Sequence, residues 1–248
     1  MDNKKILQIA MQQQAIDFNC MPDDFCLNEN KVVISGENPE ARKYLKLPFF
    51  CAFASFGNNI VASVNANIAE MVLEYINNHK IEDCFAPANL FTLNDELKKH
   101  GNKISFNAQR FLPDIDVIKP ISCEYEIKIL YPDDFAYLYD IPEWKNAIGS
   151  GKRRHLDMLA VGAFDGQKLI GLAGCEACCS SMWQIGVDVL PNYRRKGVAS
   201  ALTSRLALEI LHIGKVPFTG NVWANIPSFK TQFASGFRPA WVEIQSGY

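Results

Sequence analysis

The sequence predicts a mixed α/β fold in two parts: a sheet with packed helices in the second half, and a smaller mixed α/β domain in the first. Three observations predict it. From Glu124 onward, apolar runs of strand length and helical stretches follow in the order strand, helix, three strands, helix, strand, helix, strand. Asp165-Gly166 between two apolar runs marks a tight hairpin. The stretch PDIDVIKPIS, residues 113–122, holds a short extended piece between two prolines and reads as a boundary, dividing an accessory domain, 1–118, from a second domain, 119–248.

In the first half, residues 6–18 read as a helix and KVVIS as a short strand. FFCAFASFG and NIVASVN read as paired strands across Gly57-Asn58-Asn59. Asn67 is expected to cap the helix IAEMVLEYINN, whose Ile68, Met71, Val72, Tyr75 and Ile76 share one face. A second helix, NDELKKHG, is expected to open at Asn94 and close at Gly101. No motif in this half points to chemistry, so it reads as a structural or lid domain.

In the second half, EYEIKILY alternates as a strand does, and PDDFAYLYDIPEW reads as helical with an irregular end. DMLAVGAF, KLIGLAGCEA and MWQIGVDVL are strands. A helix from Gly197 to Ile213 buries Val198, Ala201, Leu202, Leu206 and Ile210, and Gly214 ends it. VPFTGNVW returns as a strand, Asn225-Ile-Pro-Ser opens a short helix that stops at Gly236, and a last strand runs over 237–244.

The bulk composition excludes several classes. Of the 248 residues, 48% are hydrophobic and 21% charged, the balance of a soluble globular protein. No run approaches a membrane span, and MDNKKILQIAMQQQ turns polar too soon for a signal peptide. A cytoplasmic protein is expected. The net charge of −2 favours neither nucleic acid nor an anionic membrane as partner. Eight cysteines lie scattered in apolar contexts, as reduced buried thiols do. Only Cys175, Cys178 and Cys179 cluster, and no Cys or His pair at finger-like spacing completes a metal site.

The most informative run is GVDVLPNYRRKGVASAL, residues 186–202. A helix N-terminus exposes unpaired amide hydrogens and the positive end of its dipole. At this strand-to-helix turn Arg194, Arg195 and Lys196 add charge, Gly197 allows close backbone approach and Ala199 keeps the next turn small. The spacing is neither a Walker loop nor a Rossmann fingerprint. On the turn alone, a phosphate seat and a solvated basic turn are equally natural readings.

Arg194-x-x-Gly197-x-Ala199, directly after WQIGVDVLP and opening a long helix, resembles the cofactor-binding motif of the GNAT superfamily of acyl-CoA N-acyltransferases. Asn225-Ile-Pro-Ser-Phe-Lys-Thr-Gln-Phe-Ala-Ser-Gly236-Phe237 resembles that family's second motif: an asparagine, a short helix, then Gly-Phe. The two-part layout and the runs MWQIGVDVLP, GKVPF and SGFRPAWVEI resemble a bacterial subgroup typified by a zwittermicin-resistance acetyltransferase. The resemblance implies a mostly antiparallel sheet with one splayed strand pair, and acetyl-CoA as co-substrate. It implies that the amides from Arg195 to Ser200, among them those of Lys196, Gly197, Val198 and Ala199, receive the coenzyme A pyrophosphate. It gives Val187 and Val189 to the pantetheine arm, with a backbone amide of this strand as oxyanion donor, and Asn225 to the thiol end. A helix cap is an equally natural role for Asn225.

The implied reaction is direct attack of a primary amine, of a small molecule rather than a protein lysine, on the acetyl thioester in a ternary complex, through a tetrahedral intermediate. Such attack is helped by a base for the amine's proton and donors for the oxyanion. Glu176, an acid among small and apolar residues, is the first candidate base, Asp188 the second, and His155 a third. Lys152, Arg153 and Arg154 either rim an acceptor cleft or are solvated. Where many family members carry a tyrosine acid, four residues before the Gly-Phe glycine, this chain has Gln232. That departure leaves a non-catalytic acyl-CoA sensor as one alternative, and the CEACC cluster leaves a thiol–metal protein as another. As for partners, a homodimer is compatible with the sequence.

Overall fold

Short runs rich in β-branched and aromatic residues become strands throughout this chain, and the longer periodic stretches become helices. The computed structural model describes residues 1–149 and 151–247, with only the backbone of Gly151 and Lys152. In chain order the first elements are α1 (Asn3–Phe18), β1 (Lys31–Ile34), β2 (Cys51–Ser55), β3 (Val61–Val64), α2 (Ala69–Asn77), α3 (Ile81–Cys84), α4 (Pro87–Lys98) and β4 (Lys103–Pro113). There follow β5 (Glu126–Leu130), α5 (Pro132–Phe135), β6 (Asp157–Asp165), β7 (Lys168–Glu176), β8 (Met182–Val189), α6 (Val198–His212), β9 (Val216–Asn221), α7 (Ile226–Ala234) and β10 (Phe237–Gly247). Two units form: Leu7–Arg110 with Ala240–Tyr248, and Phe111–Pro239 with Met1–Ile6.

In the unit that begins at Leu7, β1 pairs parallel with β3, β3 antiparallel with β2, and β2 antiparallel with β10. Every residue of β2 and β3 is buried. Phe53 and Val64 face a core with Ile68, Val72, Ile76 and Leu97, while Ala52 and Ala54 join Phe18, Phe25 and Phe49 in a second one. A strand covered on both faces reads as a continuous apolar run, which is why FFCAFASF does not alternate. Two expected helix starts shift. Asn65, not Asn67, accepts the capping bond, from Asn67 N at 3.0 Å, and opens a single 3-10 turn before α2. The next long helix starts at Pro87, whose fixed φ suits a first turn. Asn94 lies inside that helix and takes Ile104 N at 2.8 Å, clipping down the loop that follows.

The other unit is a mixed α/β layer structure, its sheet antiparallel except for one strand pair. β5, β6, β7 and β8 pair antiparallel in sequence order, and β8 pairs parallel with β9. The hairpin between β6 and β7 closes from Asp165 to Lys168, with Gly166 at φ 62°. On one face α6 buries Val198, Leu202, Leu206 and Ile210 against Leu159, Val161, Ala173, Ile185 and Phe237. The opposite face packs Ala160 and Leu172 against Phe135, Leu138, Trp144, Ala147 and Ile148. That second layer lies so close that Gly174 and Gly186 are required. A Cβ on Gly186 would run into the carbonyl oxygen of Asn146, and one on Gly174 into that of Ala147. Among the described residues, no helix is long and apolar enough to cross a membrane.

Gly186→Ala forces backbone apart rather than a flexible side chain, so we expect it to lower the unfolding free energy by about 2 kcal/mol, read from a urea melt. A change within experimental error would show that the 144–148 layer yields freely.

Candidate active site

Between β8 and α6 the chain turns through Pro191–Tyr193, then Arg194 in extended geometry, Arg195 at φ 61° and Gly197 at φ 78°. A left-handed arginine carries a steric cost of about 1–2 kcal/mol. Backbone held in such a conformation outside a glycine points toward a functional constraint. Its consequence here is visible in the hydrogen bonds. The first amide of α6 to find an acceptor is Ala201, which donates to Gly197 O at 3.0 Å. Among the described residues the amides of Arg195, Lys196, Gly197, Val198, Ala199 and Ser200 donate to nothing. Consecutive amides around left-handed residues make an anion-binding concavity, and the α6 dipole adds to its positive potential.

The three cations at this turn differ. Arg194 Nε donates to Val189 O at 2.9 Å, which ties the turn to the end of β8. Lys196 Nζ donates to Tyr125 Oη at 2.9 Å, lies 3.7 Å from Glu124 and sits over the Tyr125 and Tyr193 rings. Arg195 is exposed and has no side-chain partner among the described residues. It is therefore the cation most available to a bound anion.

Next to the turn lies an open strand edge. β8 and β9 are paired only from Met182/Val216 to Gln184/Phe218. Beyond that point Ile185–Val189 and Thr219–Asn221 have no cross-strand partner between them, so a gap opens. Which backbone groups face it follows from one bond. Leu190 N donates to Ile170 O at 2.9 Å. Antiparallel alternation then makes Asp188/Leu172 and Gly186/Gly174 the bonded pairs. The N–H and C=O groups of Val187 and Val189 and the carbonyl of Ile185 consequently point away from β7, into the gap. The Ile185 N–H closes the last β8/β9 rung on Phe218 O. The Val189 carbonyl is taken by Arg194, leaving both groups of Val187, the Ile185 carbonyl and the Val189 N–H to offer.

At the closed end of the gap three polar residues form a row across adjacent strands: Asp157 opposite Glu176, and Glu176 opposite Gln184. Burial raises the Asp157 carboxyl to about 6, against the opposing pull of the Gly149 amide, which donates to Asp157 Oδ2 at 2.7 Å, and of the Tyr139 hydroxyl; the Glu176 charge raises it further. Burial also raises Glu176, opposed first by Arg153 and then by His155. Arg153 Nη1 reaches Glu176 Oε1 at 3.3 Å. Two facing carboxyls raised by burial are a site able to hold a proton near neutral pH. Asp157 was not singled out from the sequence, although an acid opening the buried strand DMLAVGAF is the signal that could have found it.

Other candidates have different roles. Asp188 accepts from Asn146 N, Asn146 Nδ2 and Ala147 N at 2.7, 2.6 and 2.9 Å, so it anchors the 144–148 layer on the sheet. Asn225 is exposed and caps α7, its Oδ1 accepting from Ser228 N at 3.3 Å. His155 is exposed. Arg154 pairs with Asp140 at 2.8 Å and lies over the Tyr139 ring; the Lys152 side chain lies outside the described residues. Cys175, Cys178 and Cys179 are buried, with Cys175 donating to Leu159 O, and Cys178 and Cys179 to Met182 O. Burial pushes the Cys175 thiol to about 12, far from the thiolate a metal requires.

No protein-family model matches the chain, and no curated protein matches it. Among solved structures it is similar to a protein of the GNAT family from Novosphingobium aromaticivorans, at 15% identity and a TM-score of 0.47 over 59% of this chain and 66% of that one. It is similar to a GCN5-related N-acetyltransferase-like protein from Streptococcus suis, at 17% identity and a TM-score of 0.45 over 63% and 67%. The Salmonella typhimurium protein YncA, solved with its cofactor acetyl-CoA, is 19% identical with a TM-score of 0.37 over 49% and 92%. The chain thus spans about two thirds of the first two relatives. At these identities and TM-scores nothing of their chemistry passes to this chain, and function has to follow from its own turn, edge and carboxyls.

The carboxyl pair is open to direct titration. By carbon-detected NMR we expect Asp157 to titrate near pH 6, and its midpoint to fall in Glu176→Gln, where the neighbouring charge is gone. An Asp157 midpoint in the ordinary range near 4 would contradict this picture of the site.

Proposed function

We propose that this chain is an acetyl-CoA-dependent N-acetyltransferase of the GNAT superfamily that acylates a primary amine of a small molecule in a ternary complex. The observation that carries the reading is the run of unpaired amides from Arg195 to Ser200 beside the open β8 edge. The two features together suit a ligand with a diphosphate at one end and an extended amide-bearing arm. The residues fit that group. The 195–200 amides and Arg195 would hold the pyrophosphate, and Gly197 keeps the approach open. The N–H and C=O of Val187, with the Ile185 carbonyl, would pair with the amides of the arm as a neighbouring strand does.

Acetyl-CoA supplies an activated acyl group on a thiol leaving group. The protein supplies orientation and proton handling. The Val187 N–H, already directed into the gap, is placed to stabilise developing negative charge on the acyl oxygen. The Glu176 and Asp157 pair accepts the proton that the attacking amine loses. Arg153, 45% exposed at the side chain, pairs with Glu176 and favours its charged form against the effect of burial. A non-catalytic acyl-CoA sensor would share the turn and the edge but would have no use for two facing carboxyls raised by burial, which favours the enzyme.

The test is a thermal-shift titration with acetyl-CoA on wild type, Arg194→Ala/Arg195→Ala and Gly197→Val. At 100 times its Kd the ligand should stabilise wild type by about 2.7 kcal/mol. The shift should shrink in both variants, since valine disfavours the left-handed backbone at 197. A folded wild-type protein, free of copurified coenzyme A, that shows no shift would contradict the reading.

A further inference from the structure

The splayed end of β9 carries a cluster of polar atoms with no partners. Thr219 and Asn221 lie past Phe218, the last β9 residue paired to β8, and are 1% and 8% exposed. Gln232 on α7 is 5% exposed. Thr219 Oγ1, Asn221 Nδ2 and Gln232 Oε1 are all buried without a hydrogen-bond partner. A single orphaned polar atom in a core is unusual, and three on two packed elements mark a buried polar site. The cluster is also linked internally. Gln232 Nε2 lies 3.5 Å from Ser228 Oγ, and Ser228 Oγ donates to Asn221 Oδ1 at 3.2 Å. With its oxygen occupied by that hydroxyl, the Asn221 amide keeps its buried NH2 as an unused donor.

The reading above leaves one chemical role unfilled. When the amine nitrogen bonds to the acyl carbon, the carbon–sulfur bond breaks with its electron pair on sulfur, and the amine's proton goes to the carboxyl pair. A thiolate remains, and no acidic side chain stands at Gln232 to protonate it. We propose that Asn221 stabilises this thiolate, its Nδ2 donating a hydrogen bond to the sulfur while Ser228 and Gln232 hold the amide in that orientation. Coenzyme A leaves as the thiolate and is protonated by solvent. The inference rests on the acetyl-CoA reading, and it assigns the role to a strand residue that neither sequence motif contains.

The test needs no acceptor. Coenzyme A itself is bound to the full-length protein, binding is confirmed by thermal shift, and the bound thiol is titrated by thiolate absorbance. In wild type the thiol should titrate about one pH unit below free coenzyme A, a tenfold gain in thiolate fraction at a given pH. Asn221→Asp keeps the shape but replaces the donor with a charged acceptor, so the bound thiol should titrate at or above the free value while coenzyme A still binds. Gln232→Met, which only releases the Ser228 link, should lose part of the tenfold gain. A wild-type thiol that titrates like free coenzyme A, or an unchanged value in Asn221→Asp, would overturn the role of Asn221 and leave the acetyl-CoA reading standing. Failure of wild type to bind coenzyme A would overturn both.

Discussion

Everything proposed for this site depends on how the backbone leaves β8. Two left-handed residues, Arg195 and Gly197, bend the chain so that α6 begins with its first amides directed outward. If the turn were right-handed throughout, the helix could wind back one turn and satisfy those donors internally. Arg194 fixes the turn against the strand it has just left, through Val189 O. The strain at Arg195 and the unpaired amides both cost stability, and a bound anion would offset the second. The divergence of β9 from β8 after Gln184 gives such a ligand an edge along which to extend.

The opposite layer makes that edge firm. Gly174 and Gly186 let residues 144–148 rest on the sheet, and Asp188 holds that segment through both carboxylate oxygens. Asp157 is reached by the Gly149 amide of the same stretch, so layer and carboxyl pair are built together. In the other unit, charge has a structural use. Arg42 forms an ion pair with Asp17 at 3.0 Å and donates to Gln14 Oε1 at 2.8 Å, and Arg110 and Trp241 donate to Glu243, all nearly solvent-free. Burial alone would raise the Glu243 carboxyl, but Arg110 foremost, then Arg42, hold it below the ordinary range. Removing one member would leave an unpaired buried charge.

Much of this was legible in the chain. α6 runs Val198–His212 with Gly197 before it and Gly214 after, because a strong periodic stretch with two glycine stops has few alternatives. The hairpin at Gly166 was equally plain. Asn65 and Asn94 show the limit, since any asparagine before an apolar stretch can cap and only the backbone that follows selects one. Asp157, Asn221 and the left-handed Arg195 were not legible. Their roles come from what faces them across a strand, a helix or a turn, and local pattern carries no such information. The last strand was seen, but not that its residues divide between two units.

The most direct measurement is an amide-resolved NMR titration of the protein with coenzyme A. If the Arg195–Ser200 turn receives the pyrophosphate, those six amides, followed by Val187, will show the largest downfield movement, as newly formed hydrogen bonds do. If coenzyme A binds while these amides stay in place, the anion sits elsewhere and the turn is not its seat.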